Sequence, residues 1–231
     1  MPPIIISFDG NIGSGKSSVV RYFEQNFAKF CNMKTYNYNI CFLQEPVNIW
    51  ESIRDENGKN AIEKFYENNE RYSFAFQMMA YISRLSLFKE ALKKDYDIIF
   101  TERSIYTDKN IFAKMLYDCK KMDSIEYQIY LKWFDEFADS IKDIKTVYIR
   151  TNPEICDMRV KKRKRSGENI PLQYLKDCHH YHDCWLNNSD KLEEGNILLI
   201  NGNEETNTSQ FIKNNFYDEI MNKVFNFIKN K

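Results

Sequence analysis

With 231 residues and 43% hydrophobic content, the chain is long enough for one sizeable core and too short to imply two domains. Its 33 basic residues balance 33 acidic ones, which excludes the overall positive field of a nucleic-acid or anionic-membrane binder, and 15% aromatics exclude a disordered chain. No apolar run reaches the length of a membrane span. The opening "MPPIIISFDGNIG" lacks the basic start of a signal peptide and the Arg/Ser-rich helix of a transit peptide, so a cytosolic location is expected.

In chain order, the β-branched run "IIISF" (Ile4–Phe8) reads as a buried strand, and "SSVVRYFEQNF" after it has helical spacing. A second strand, "YNICFLQEP", is stopped by Pro46, and the polar stretch Glu51–Asn60 reads as a loop. A long helical pattern from about Ile62 to Lys94 leads to the strand "YDIIFTE". Helices follow around Asp108–Asp118 and Ser124–Ile141, then the strand "KTVYIR". Thr151-Asn152-Pro153 opens another helix, with Pro153 in its first turn; "NILLI" is a fifth strand, and a helix from about Gln210 closes the chain. Alternating strands and helices predict an α/β, doubly wound, mostly parallel five-stranded sheet with helices on both faces, in one domain over residues 1–231.

Three of the seven glycines fall within six positions, in "GNIGSGKS" (Gly10 to Ser17), which fits G-x-x-x-x-G-K-[ST]. The alternative, a plain Gly-rich turn before a helix, does not require Lys and Ser at those spacings. Between a strand and a helix start this pattern is a phosphate loop. Gly10, Asn11, Ile12, Gly13, Ser14 and Gly15 turn the backbone so that amides face phosphates, and Ser18 continues the helix N-terminus that favours anions. Lys16 is expected to reach the β- and γ-phosphates of ATP, and Ser17 to hold Mg²⁺. No guanine-recognition signature accompanies the loop.

Ligands of such sheets bind at the carboxyl ends of the strands, and two of those ends carry charge. The second strand ends in "LQEP", placing Glu45 at its tip; the third ends in Glu102-Arg103-Ser104. A lone carboxylate at a strand end is usually solvated, but two charged tips beside a phosphate loop suit phosphoryl transfer. Glu45 can accept a hydroxyl proton, Arg103 can hold the attacking oxygen, and Glu102 can serve the metal as a Walker-B acid does. The run "RVKKRKR" (Arg159 to Arg165) has six basic residues in seven. It reads as a lid over phosphates, residues 159–169, in preference to a nuclear address. The six cysteines show no CxxC pair and read as reduced thiols. "CHHYHDC" (Cys178 to Cys184) reads as a mixed helix in preference to a zinc site.

Together "GNIGSGKS", "LQEPVNIW", "YENNERYSFAFQMMAYISRL", "ERSIYTDKNIFA" and "KKRKRSGENIPLQYLKDCHHYHDCWL" resemble the deoxynucleoside kinases, most of all the deoxycytidine and deoxyguanosine kinase branch, over roughly residues 4–205. The resemblance implies the P-loop kinase fold, an ATP-dependent 5′-kinase of deoxynucleosides with deoxycytidine preferred and purine deoxynucleosides secondary, and a homodimer. It implies Glu45 as general base and Arg103 on the 5′-hydroxyl, Tyr66 and Glu168 on the 3′-hydroxyl, and Gln77 on the base edge. Phe76 and Phe112 would sandwich the base, Trp50 and Ile12 line its pocket, Arg84 and Asp108 meet its exocyclic group, and Arg159 and Arg163 meet the donor from the lid. The lid is lysine-rich for the family, and shorter before Ile170-Pro171. Two other readings share the phosphate loop: a monophosphate kinase of thymidylate-kinase type, which Glu45 facing an acceptor phosphate disfavours, and a nucleotide-binding protein without phosphotransfer, which leaves Glu45, Tyr66 and Gln77 unexplained.

Overall fold

A computed structural model describes residues 2–138, 141, 143–165, 168–187, 195–203 and 210–229, without the side chains of 210–214. Five strands, β1 (Ile4–Asp9), β2 (Ile40–Leu43), β3 (Ile98–Glu102), β4 (Ile144–Arg150) and β5 (Ile197–Asn201), form one sheet in the order β2-β3-β1-β4-β5. Every neighbouring pair is parallel. β1 and β3 are buried along nearly their whole length, as parallel strands covered on both faces must be.

Two apolar layers cover the sheet. On one face, Phe8 and Phe100 pack with Val19, Phe23 and Phe27 of α1 (Lys16–Met33) and with Val224 and Phe225 of the last helix, α10 (Gln210–Lys229). Phe100 alone meets the rings of Phe8, Phe23, Phe27 and Phe42 at 5.0–5.8 Å. On the other face, Ile5 packs with Tyr81, Leu85 and Phe88 of α4 (Asn69–Leu92), Ile105 of α5 (Ile105–Thr107), and Tyr130 and Phe134 of α7 (Ser124–Ala138). The chain thus leaves β1 toward one face and β3 toward the other. A crevice opens between these adjacent strand ends, where ligands of such sheets bind.

The predicted strands are all present, while several helical boundaries differ. The Ile62–Lys94 pattern is two helices, α3 (Ala61–Glu67) and α4, because Asn68 takes a non-helical φ of −148° and its side chain caps the second helix from Arg71 N at 3.2 Å. The loop expected over Glu51–Asn60 begins later, since a short helix α2 (Val47–Ser52) runs through Glu51. The Asp108–Asp118 helix starts earlier, at Ile105, and passes through a π-helical segment, Asp108–Ala113, before α6 (Lys114–Asp118). π-Segments inside helices mark functional positions often enough to draw attention to this one. The helix expected over Ser124–Ile141 is described over Ser124–Ala138; Ile141 is not helical, and residues 139 and 140 lie outside the described residues. Among the described residues no helix is long and apolar enough to cross a membrane.

Candidate active site

The loop between β1 and α1 is shaped by close backbone approach. Gly10 has φ +148° and a side-chain carbon there would lie 2.5 Å from the Ile149 carbonyl; Gly13 has φ +80° and would meet the Cys156 carbonyl at 2.6 Å. Any other residue would push the loop off β4 and off α8 (Pro153–Arg163). Asn11 ties the loop from behind, donating to the Leu175 carbonyl at 2.8 Å and accepting from Ile12 N at 2.8 Å. Lys16 is buried and donates to the Asn11 carbonyl at 2.8 Å. Burial, then Arg103, lowers its pKa to about 7 against the pull of Glu102 and Glu45. An anion placed in the loop would restore the missing negative partner.

At the tip of β3 the backbone turns sharply. Arg103 takes φ +66°, a left-handed conformation rare outside glycine, while its amide still bonds Phe8 O at 3.1 Å. This turn sends the guanidinium back across the crevice, where Nη1 donates to the Gly10 carbonyl at 2.8 Å and Nε lies 3.3 Å from Glu45 Oε1. Arg84, buried on α4, donates from Nε to Asp108 at 2.9 Å, from Nη1 to the Glu102 carbonyl at 2.9 Å, and from Nη2 to Glu45 at 3.2 Å. Burial alone would raise the Glu45 carboxyl; Arg103, Arg84 and Lys16 outweigh it and hold the pKa at about 2. For Asp108, burial wins over Arg84 and pushes the pKa up. Ser17 Oγ donates to Glu102 Oε1 at 2.5 Å, a hydroxyl and a carboxylate side by side at the mouth of the phosphate loop.

These groups line a single cavity of roughly 750 Å³. Of the residues singled out from the sequence, it is lined by Ile12, Gly13, Ser14, Gly15, Lys16, Ser17, Ser18, Glu45, Trp50, Tyr66, Phe76, Gln77, Arg84, Glu102, Arg103, Asp108, Phe112, Arg159, Arg163 and Glu168. Gly10 and Asn11 stand behind its wall. Phe76 stacks on Phe65 (4.6 Å, 15°) and meets Trp50 edge-on at 5.6 Å, which leaves a rigid aromatic wall; Phe112 lies under the Arg103 guanidinium at 4.9 Å. Gln77 Oε1 is buried with no hydrogen-bond partner, an acceptor waiting for a donor.

The first part of the segment expected as a lid, residues 159–169, is helical. Arg159 and Arg163 belong to α8, which Lys164 ends in the left-handed conformation, and residues 166 and 167 lie outside the described residues. Arg159 donates to the Ser14 carbonyl at 3.1 Å, joining α8 to the phosphate loop. Glu168 receives Arg163 at 2.5 Å and Arg165 at 3.1 Å. The Tyr66 hydroxyl lies close enough that Glu168 adds to burial in raising its pKa.

Sequence reasoning missed Arg21 on α1, Tyr174 on α9 (Leu172–Leu186), and Gly202, Phe216 and Tyr217, all on the cavity wall. Tyr174 sits inside the quoted motif "IPLQYL", so a signal existed; the others come from elements whose meeting no local pattern encodes. The three histidines diverge: His182 is buried with Nδ1 on the Cys178 carbonyl at 2.6 Å, His179 faces Asp183 at 3.3 Å, and His180 lies against Cys184. Among the described residues no three His, Cys, Asp or Glu gather around one point.

A model of the deoxynucleoside kinase family matches residues 6–229. The chain belongs to the deoxynucleoside kinase family. Similar proteins include a probable deoxycytidine kinase of Fowlpox virus (strain NVSL), 34% identical over 93% of this chain and 87% of the relative, and the deoxycytidine kinase of Homo sapiens, 33% identical over 96% and 90%. A mitochondrial deoxyguanosine kinase of Xenopus laevis is 26% identical over 96% and 89%. This deoxynucleoside kinase is therefore an ATP-dependent phosphotransferase acting on a small molecule, and its parallel five-stranded sheet is the P-loop kinase fold.

Proposed function

We propose that the acceptor is the 5′-hydroxyl of a deoxynucleoside, with deoxycytidine preferred and purine deoxynucleosides second. The observation that carries the preference is the buried Arg84–Asp108 pair beside the unpartnered Gln77 Oε1. Cytosine offers an exocyclic amine and an adjacent ring acceptor. Gln77 can accept from the amine and donate to the ring nitrogen, while Asp108 accepts the amine's other hydrogen. Adenine repeats this donor–acceptor order, and the small, buried Ala80 beside Trp50 leaves room for a larger base. Thymine would point a carbonyl oxygen at the Asp108 carboxylate. Two of the three relatives named above are called deoxycytidine kinases, which supports the reading.

In this reading Phe76 and Phe112 hold the base between their faces, with Trp50 and Ile12 beside it, and Tyr66 and Glu168 bind the 3′-hydroxyl. The 5′-hydroxyl lies between Glu45 and Arg103: Arg103 donates to its oxygen and Glu45 accepts its proton as the phosphoryl group transfers. Lys16, the loop amides, Arg159 and Arg163 hold the donor phosphates in line. Ser17 and Glu102 fit Mg²⁺, a hard ion that takes one or two protein oxygens and completes its shell with water and phosphate. An ion held there would offset negative charge on the donor phosphates.

We further propose a cytosolic homodimer. The six cysteines are all free thiols, as a reducing compartment favours. Ile125, Ile129, Trp133 and Phe137 repeat every four residues along α7 and are all exposed, with Ile82 of α4 exposed as well, an apolar stripe suited to helix–helix packing.

The preference is tested by kcat/KM for the four deoxynucleosides on the wild-type enzyme and on the double variant Arg84→Met with Asp108→Ala. Leaving a buried charged partner unmet costs about 1–3 kcal/mol, so the thymidine-to-deoxycytidine ratio should rise about tenfold or more in the variant. Thymidine as the best wild-type substrate, or an unchanged ratio, would remove the Arg84–Asp108 pair from base selection.

A further inference from the structure

A further buried hydroxyl lies on α7, the helix packed against both α4 and the π-segment, which carry the Arg84–Asp108 pair. Tyr130, on the inner face of α7, is 0% exposed, and its hydroxyl has no hydrogen-bond partner. Its ring is fixed between Tyr81 at 5.8 Å and Phe134 at 6.2 Å, and Tyr81 in turn donates to the Trp133 and Phe134 carbonyls. The ionisable groups acting on the Tyr130 hydroxyl are Asp108, Tyr81, Arg84 and Tyr127. α7 also clamps the π-segment that carries Asp108: Lys109 donates to Asp135 at 2.7 Å and lies 4.6 Å from the Phe134 ring centre.

A buried hydroxyl without a partner is rare, and such groups are commonly met by ordered water. The Asp108 carboxylate has unused capacity, since an ionised carboxylate accepts at about four positions. Arg84 takes one oxygen at 2.9 Å and the other at 3.4 Å. An exocyclic amine would take a third position. We propose that the Tyr130 hydroxyl is a further member of the base-reading group, donating through one buried water to Asp108 and so aiming the carboxylate at the exocyclic amine. Tyr130 does not touch the substrate; it is a positioning residue, and its assignment rests on the reading that Asp108 receives that amine.

Tyr130→Phe removes the hydroxyl and keeps the ring. The deoxycytidine-to-thymidine ratio of kcat/KM should fall about five- to tenfold, the loss of one ordinary hydrogen bond to the bridging water, with the change in KM for deoxycytidine and kcat within about twofold. In an Asp108→Asn background the same change should move the ratio less than about twofold, because the two residues act as one unit. Equal losses for both nucleosides, no change in the ratio, or a change confined to kcat would overturn the assignment. If Asp108→Asn alone lowers the ratio and Tyr130→Phe does not, Tyr130 is excluded and Asp108 keeps its role; if neither lowers it, both readings fall. A high-resolution crystal structure of the wild-type enzyme gives a second test that needs no variant. An ordered water bonded to both Tyr130 Oη and Asp108 is expected, and a dry hydroxyl there would contradict the proposal.

Discussion

Replacing Glu45 by Gln should leave deoxynucleoside binding within a fewfold of wild type and lower kcat by about 10²–10⁴-fold, the usual contribution of a general base. The amide keeps the size of the carboxylate and one acceptor oxygen, but cannot take the hydroxyl proton. A pKa held at about 2 makes Glu45 a carboxylate throughout the working pH range, ready to accept but a weak base in the ground state. That suits phosphoryl transfer through a loose transition state, where the hydroxyl gives up its proton late and positioning dominates. Because the folded pKa is depressed, protonation of Glu45 cannot produce an acid limb in kcat/KM near pH 4–6. Stopped-time product measurements across pH check both points. A kcat within about threefold of wild type in Glu45→Gln would exclude Glu45 as the proton acceptor.

Lys16→Ala should abolish phosphoryl transfer, with a loss of about 10³-fold or more in kcat/KM, while the protein still folds. The side chain is buried, yet its only described hydrogen bond is to the Asn11 carbonyl, within the phosphate loop itself. It packs in neither of the two apolar layers that cover the sheet. Circular dichroism and thermal melts separate loss of function from loss of fold. Full activity in the variant, or a collapse of the melting transition, would contradict the assignment of Lys16 to the donor phosphates.

The elements legible in the sequence were those set by local chemistry. A β-branched run predicted β1, short apolar runs predicted the other four strands, and "GNIGSGKS" predicted the phosphate loop at the end of β1. The charges of "LQEP" and "ERS" marked two strand tips, and Glu45, Glu102 and Arg103 there all line the cavity. Apart from the local cap at Asn68, what escaped depended on contacts between distant elements. Nothing near Asn68 distinguishes a helix break from an exposed polar turn of a longer helix; the cap on Arg71 decides it. The π-segment opens on Asp108, whose carboxylate meets Arg84, a partner on another helix. Sequence reasoning paired Glu45 with Arg103 alone, whereas Arg84 reaches the same carboxylate from mid-α4 at 3.2 Å. Likewise, Phe216 and Tyr217 reach the cavity from α10, far along the chain.

The central claim is phosphorylation of a deoxynucleoside hydroxyl by ATP, and an assay of products tests it most directly. The enzyme is incubated with ATP and Mg²⁺ together with each deoxynucleoside, and separately with each deoxynucleoside monophosphate, and the nucleotides formed are resolved by chromatography. Deoxycytidine should yield its 5′-monophosphate faster than any other deoxynucleoside, and the monophosphates should yield no diphosphate. Diphosphate formed from thymidylate, or ATP consumed with no phosphorylated nucleoside, would contradict the account.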